Sequence, residues 1–141
     1  AMLHTLAHLL IRELSLEWGY NAASIRERIY ADTEGDDPQA GILVYTAAAD
    51  SDGTLGGLVD LGKPDNLGRL LRQALKRAQI CSSDPLCSEH DPGKDKSLHA
   101  AACHACSLVA ETSCEHGNRY LDRTLLVPTM ENSRAAFFGD K

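Results

Sequence analysis

The sequence predicts one α/β domain, or its mixed α+β variant, with a small sheet flanked by helices and an irregular C-terminal region. Two stretches carry apolar residues at the three-and-four spacing of amphipathic helices, and a short apolar run between them is typical of a strand. Beyond residue 80 the periodicity is lost, and all 5 cysteines lie there. We therefore expect a single domain over 1–141, divided into a helix and sheet core (1–80), a cysteine-rich region (81–123) and a tail (129–141).

The first helix is predicted over Met2–Trp18, where leucines recur every three or four residues and Gly19 supplies a stop. The segment Ser24–Tyr30 suits either a helix or a strand, and we prefer a strand because it ends in Ile-Tyr. The polar run Asp32–Pro38 is expected to form a surface loop.

The clearest strand is Gly41–Ala47, whose lack of alternation predicts burial on both faces. A turn is expected next, at Asp50–Gly53. The second helix is predicted over Asp65–Ile80, with Asp65 as the N-cap. A last short strand is predicted at Leu125–Val127.

Composition limits the class of function. A net charge of −6 argues against a domain that grips nucleic acid by itself, because phosphate binding depends on clustered Lys and Arg. No apolar run reaches the roughly 20 residues that span a bilayer, and the opening segment is no secretory signal. We expect a cytoplasmic protein with no membrane partner. The leading Ala-Met, followed at once by helical sequence, suggests a piece of a longer chain.

The cysteines carry the strongest functional signal. An odd number without an export signal argues against disulfides and favours a metal ion. Cys103-His104-Ala105-Cys106 is a C-x-x-C turn, and Cys114 is close enough to bind the same ion; zinc prefers four such ligands. The fourth ligand is expected to be Cys87 or Cys81. Cys87 is preferred because it follows a turn-forming Asp-Pro pair, whereas Cys81 would continue the second helix.

The surplus of sulfur ligands predicts a closed, structural Zn²⁺ site with no catalytic residues, since catalytic zinc keeps one position open. A thioredoxin-type C-x-x-C would be expected at a helix start after a βαβ pattern, and here it follows a loop. Haem attachment requires C-x-x-C-H, and Ser107 stands at the last position. Unligated thiols remain the plain alternative.

Two histidines near the N-terminus, His4 and His8, are one helical turn apart and could share a metal ion. The segment lacks the Glu of an H-E-x-x-H helix, so a polar helix face packed on neighbouring loops is the commoner explanation. The alternative function is a metal-dependent hydrolase or nuclease-like enzyme, in which both histidines meet Asp50, Asp52 and Arg28 in a cleft. Both aspartates are interpreted first as turn residues.

The order of these motifs resembles the MZB domain, the zinc-binding domain at the C-terminal end of MrfA-type DNA helicases. The family pattern is a buried strand, a Gly-Gly turn that contains an acid, a helix, and a cysteine cluster that closes with Asn and Leu-Asp-Lys or Leu-Asp-Arg. The corresponding segments are Gly41–Tyr45, Asp52–Leu58, Leu67–Ile80, Cys103–Cys114 and Asn118–Arg123.

Other segments are similar to the branch found in the helicase-partner protein of DISARM, a bacterial anti-phage system. They are His4–Leu10, Ser24–Tyr30, Cys81–Cys87 and Glu111–Glu115. The resemblance implies a non-catalytic accessory domain that works beside a helicase subunit or helicase domain. We also expect an indirect association with DNA. In the compact family pattern the first cysteine lies a few residues before C-x-x-C. Here Ser88–Ala102 intervene, so the choice between Cys87 and Cys81 stays open.

Overall fold

The fold is a mixed α+β arrangement, which confirms that variant of the predicted class. The computed structural model describes residues 1–32, 34, 37–46, 55–130 and 136–139. The helices and strands are α1 (Met2–Trp18), β1 (Ile25–Asp32), β2 (Gln39–Thr46), α2 (Leu55–Leu61), α3 (Pro64–Ala78) and α4 (Pro92–Asp95). Short 3-10 turns lie at Ala22–Ser24, Glu111–Ser113 and Arg123–Leu125. None of the helices in these ranges is long and apolar enough to cross a membrane.

Helix α1 is the central element, and its predicted bounds are confirmed. It ends at Gly19, whose φ of 68° is a left-handed conformation that glycine adopts without a steric penalty. Apolar side chains of α1 pack into two clusters, on two sides of the helix. Leu9 packs with Ala74, Ala78, Leu126 and Val127, whereas Ile11 and Leu14 pack with Ile25, Leu61 and Leu70. The helix therefore joins α3 to the β-hairpin.

Strands β1 and β2 form an antiparallel hairpin in which Ile25 pairs with Thr46 and Asp32 with Gln39. The preference for a strand in the first of these segments is confirmed. The predicted burial of β2 on both faces is wrong, because Leu43 is 47% and Tyr45 40% exposed. A two-stranded ribbon has α1 on one face and leaves the other open to solvent.

Helix α3 begins slightly before its predicted start. Lys63 is the N-cap and Pro64 takes the first helical position, where its missing N–H is not needed. Asp65 lies in the first turn, where its charge complements the helix dipole. Helix α2 was not predicted, since Gly56-Gly57 argues against helix. The turn predicted at Asp50–Gly53 lies outside the described residues.

The strand predicted at Leu125–Val127 is wrong. The backbone N–H groups of Leu126 and Val127 both donate to the carbonyl of Arg123, at 3.0 and 3.1 Å, which closes a turn instead. The two side chains are fully buried, so their apolar character reflects core packing.

The predicted tail lies partly outside the described residues, since 131–135 and 140–141 are not described. Phe137 and Phe138 donate to the carbonyls of Leu125 and Leu126 at 3.0 and 2.9 Å.

Candidate metal centre

Four cysteine sulfurs converge beside the C-terminal end of α3. They belong to Cys81, Cys87, Cys103 and Cys106, and all lie within 4.8 Å of one another. The Sγ–Sγ distances are 3.4 Å for Cys81–Cys103, 3.6 Å for Cys87–Cys106 and 3.7 Å for Cys103–Cys106. A zinc tetrahedron with bonds of about 2.3 Å has edges of about 3.8 Å. The observed sulfur–sulfur distances are close to these edges and much longer than the S–S bond of a disulfide, which measures about 2.05 Å. The group therefore has the dimensions of a zinc site.

Backbone N–H groups point at two of these sulfurs. The N–H of Cys103 donates to Cys106 Sγ at 3.3 Å, and the N–H of Ser83 donates to Cys81 Sγ at 3.4 Å. A hydrogen bond from Cys87 lowers the pKa of Cys106, although burial opposes the shift, whereas that same hydrogen bond and burial raise the pKa of Cys87. The thiolate is the form of cysteine that binds metal.

Arg12 on α1 fixes the C-x-x-C loop. Its guanidinium donates to the carbonyl oxygens of His104 at 3.1 Å, Ala105 at 2.8 Å and Leu108 at 2.9 Å. These are three donors of one planar group, so the loop is held in a single orientation. The first helix thus positions a ligand loop that lies far away in the sequence.

Arg123 connects the Cys81 loop to the end of α3. The fully buried guanidinium donates to the carbonyl of Ala78 at 2.8 Å and to the carboxylate of Asp84. The other carboxylate oxygen of Asp84 accepts the N–H of Cys81 at 2.9 Å. Burial alone would raise the pKa of Asp84, but the Cys81 N–H and the Arg123 guanidinium lower it. The loop that carries Cys81 is therefore anchored by an ion pair.

The structure groups the predicted ligands differently from the prediction. Cys81 and Cys87 both lie beside Cys103 and Cys106, so the geometry offers both of them as candidate ligands. Cys114 does not join this group, because the loop that carries it turns back towards α1. The side-chain amide of Asn118 holds that turn by bonding to both backbone groups of Val109, at 3.0 and 2.9 Å.

Cys114 belongs instead to a second buried group with His4, His8 and Glu27, whose ligand atoms also lie within 4.8 Å of one another. Glu27 Oε1 is 2.9 Å from His4 Nε2 and 3.2 Å from His8 Nε2, and Cys114 Sγ is 3.1 Å from His4 Nε2. Burial raises the pKa of Glu27, but its close contacts with His4 and His8 outweigh burial and lower the pKa to about 2.

The sequence prediction paired His4 with His8 but missed Glu27 as their partner. The available signal was its place between Ile25 and Ile29, on the inward face of β1, where the burial pattern alternates. Arg28, by contrast, points outward from the same strand and is exposed. Asp50 and Asp52, the other members of the predicted enzymatic cleft, lie outside the described residues.

Residues 6–107 match the family described as the MrfA Zn-binding domain, MZB. The chain belongs to this family. The match contains all four cysteines of the four-sulfur group and ends before Cys114. The family and the geometry of the four sulfurs both support zinc binding by this MZB domain.

A curated relative confirms the branch as well as the family. The MZB domain is 51% identical over 137 residues to the DISARM protein DrmB of Bacillus paralicheniformis. The alignment covers 97% of this chain and 24% of the relative, so the chain spans about a quarter of that protein's length.

Proposed function

We propose that this MZB domain is a non-catalytic accessory domain, stapled by zinc, that works beside a helicase subunit or helicase domain in phage defence. The four-sulfur group carries the proposal. Cys81, Cys87, Cys103 and Cys106 would hold one Zn²⁺ in a tetrahedral shell with no position left for water or substrate. Such an ion contributes to folding.

The region around the sulfurs explains why a metal is needed there. Residues 81–123 contain α4, the Glu111–Ser113 turn and the first residue of the Arg123–Leu125 turn, with no strand among them. The cysteines themselves form the core cluster of this region, with Cys81, Cys87 and Cys106 buried and Cys103 half-buried. Zinc would replace the apolar packing that holds the rest of the fold together.

The family and the relative support the biological context. The relative is named as a DISARM protein, and MZB domains take their name from MrfA. The net charge of −6 favours a protein partner over direct phosphate contact. We therefore propose a helicase as the partner and an indirect association with DNA, in the cytoplasm.

The enzymatic alternative is not favoured. His4 and His8 are 3% and 0% exposed, so neither side chain can reach a substrate. Arg28 lies on the solvent side of β1, away from both histidines. The three described members of the proposed cleft, His4, His8 and Arg28, therefore do not meet in one.

The zinc assignment is tested by metal analysis of the purified, reduced chain. Cys103→Ser is expected to lose about one zinc ion per chain, because one sulfur ligand is removed from a closed shell. His104→Gln is the matched control, since His104 lies in the same turn with an exposed side chain. Unchanged zinc content in folded Cys103→Ser would overturn the assignment.

The accessory role is tested in cells that carry a DISARM-type system with this domain in its natural protein. The Cys103→Ser variant is expected to lose co-purification with the helicase subunit and to restore phage plating, while His104→Gln keeps both wild-type properties. Full protection by a zinc-deficient Cys103→Ser protein would contradict the proposal. Metal-dependent nuclease activity of the purified domain would favour the enzymatic alternative.

A further inference from the structure

The group of His4, His8, Glu27 and Cys114 contains buried nitrogen and oxygen atoms that lack a good hydrogen-bond partner among the described residues. It joins three separate segments, with His4 and His8 on α1, Glu27 on β1 and Cys114 on the loop after the Glu111–Ser113 turn. All four side chains are less than a tenth exposed. His4 and Cys114 fall outside the residues that match the MZB family.

The orientation of His8 directs a lone pair into the group. Its Nδ1 lies 2.9 Å from the carbonyl oxygen of Ser107, which can only accept, so Nδ1 carries the proton. In the neutral ring, Nε2 then presents a lone pair to Glu27 Oε1 at 3.2 Å. Two acceptors facing each other repel unless a proton or a metal ion lies between them. Metal-bound histidines are commonly fixed in this way, through a backbone carbonyl at the other nitrogen.

Glu27 and His4 each have a buried polar atom without a hydrogen-bond partner. Glu27 Oε2 and His4 Nδ1 are buried and have no hydrogen-bond partner among the described residues. If protons alone held the group together, His8 would have to donate from both ring nitrogens as a buried cation, and Glu27 Oε2 would still lack a partner. Burying a charged imidazole costs more than burying a neutral one. A metal ion bound by the Nε2 atoms and the carboxylate would let His8 stay neutral.

The Cys114 loop aims backbone donors at its own sulfur. The backbone N–H groups of His116 and Asn118 both point at Cys114 Sγ, at 3.4 and 3.2 Å. Asn118 adopts a φ of 61°, a left-handed conformation that Asn tolerates better than most residues. Backbone donors aimed at one sulfur stabilise its negative charge, which is what a metal ligand requires.

We propose that His4, His8, Glu27 and Cys114 form a second closed zinc site. Two imidazoles with a thiolate favour zinc over Mg²⁺ or Ca²⁺, which prefer oxygen ligands alone. One carboxylate and one thiolate also balance the two charges of Zn²⁺, so the buried site is neutral. The observed separations of 2.9–3.2 Å are slightly shorter than the edges of about 3.3–3.6 Å in such a tetrahedron.

The two sites are neighbours through one residue. Ser107 follows the ligand Cys106, donates its hydroxyl to that sulfur at 3.3 Å, and offers its carbonyl to His8. Ser107 is fully buried. The second site would thus staple α1 and β1 to the loop that carries the first site.

Zinc analysis of reduced, purified variants separates the two sites. The wild-type chain is expected to hold about two zinc ions, and Cys114→Ser and Glu27→Gln about one. Glu111→Gln, an exposed carboxylate close to Cys114, is the matched control and keeps both. If the wild-type chain holds one zinc ion and Cys114→Ser holds the same amount, the second site is overturned. If Cys103→Ser then loses that one ion, the proposed function still stands.

X-ray absorption at the zinc edge decides the matter on the wild-type chain, even if a variant does not fold. Two sites predict an average shell of about 2.5 sulfur and about 1.5 nitrogen or oxygen ligands per zinc. A shell of four sulfurs would overturn the second site.

Discussion

Replacing Arg123 by Met is expected to be among the most destabilising changes outside the metal ligands. Arg123 is fully buried, and its guanidinium bonds to Asp84 and to the carbonyl of Ala78. Met fills much of the same volume but carries no donor. The carboxylate of Asp84, with a side chain 6% exposed, would then lose its ion-pair partner.

The magnitude follows from that unpaired charge. Removing one partner of a buried ion pair costs about 3–5 kcal/mol in the free energy of unfolding. For a chain of 141 residues this corresponds to a fall in Tm of about 10–15 °C. The double variant Arg123→Met with Asp84→Asn is expected to recover part of the loss, because the orphaned charge is gone.

The assay is urea unfolding followed by circular dichroism, in reducing buffer with excess zinc. Arg119→Met is the control, because Arg119 is exposed and four residues away on the same segment; it should stay within about 0.5 kcal/mol of wild type. If Arg123→Met loses no more stability than Arg119→Met, the anchoring role assigned to the ion pair is refuted.

Three further changes test other parts of the structure. Arg12→Met removes three hydrogen bonds to the C-x-x-C loop and should speed zinc transfer to a chelator about tenfold. The control Arg26→Met changes an exposed residue and should leave the rate unchanged. Equal rates for the two variants would show that Arg12 does not hold the loop in place. Ile11→Ala should lower the free energy of unfolding in urea by about 2–5 kcal/mol, because Ile11 is buried. Leu16 lies on the same helix and is 63% exposed, so Leu16→Ala should lower it far less. Similar losses in the two variants would refute the assignment of Ile11 to the core. Chelation of zinc should raise amide exchange first in residues 81–123, where regular structure is sparse; earlier exchange in α1 would argue against a metal-dependent region.

Local patterns account for the parts of the fold that the sequence predicts correctly. The three-and-four spacing of leucines locates α1, because an amphipathic stripe has only one regular structure that can bury it. Strand β2 follows from a short β-rich run between turn residues, whereas the segment of β1 suited a helix as well as a strand. Leu125–Val127 shows the limit of this reasoning, since a buried apolar triplet fits a turn as well as a strand.

The cysteines show what the sequence by itself determined and what only the tertiary structure decided. Five thiols near one C-x-x-C turn predict metal from chemistry alone, because ligand types are a property of residues. Which thiols share an ion depends on which loops meet in space. Contacts between distant segments, through Arg12, Arg123 and Asn118, separate Cys114 from the other four and bring it to His4. Sequence spacing carries no information about such contacts, so the division into two groups was decided by the fold.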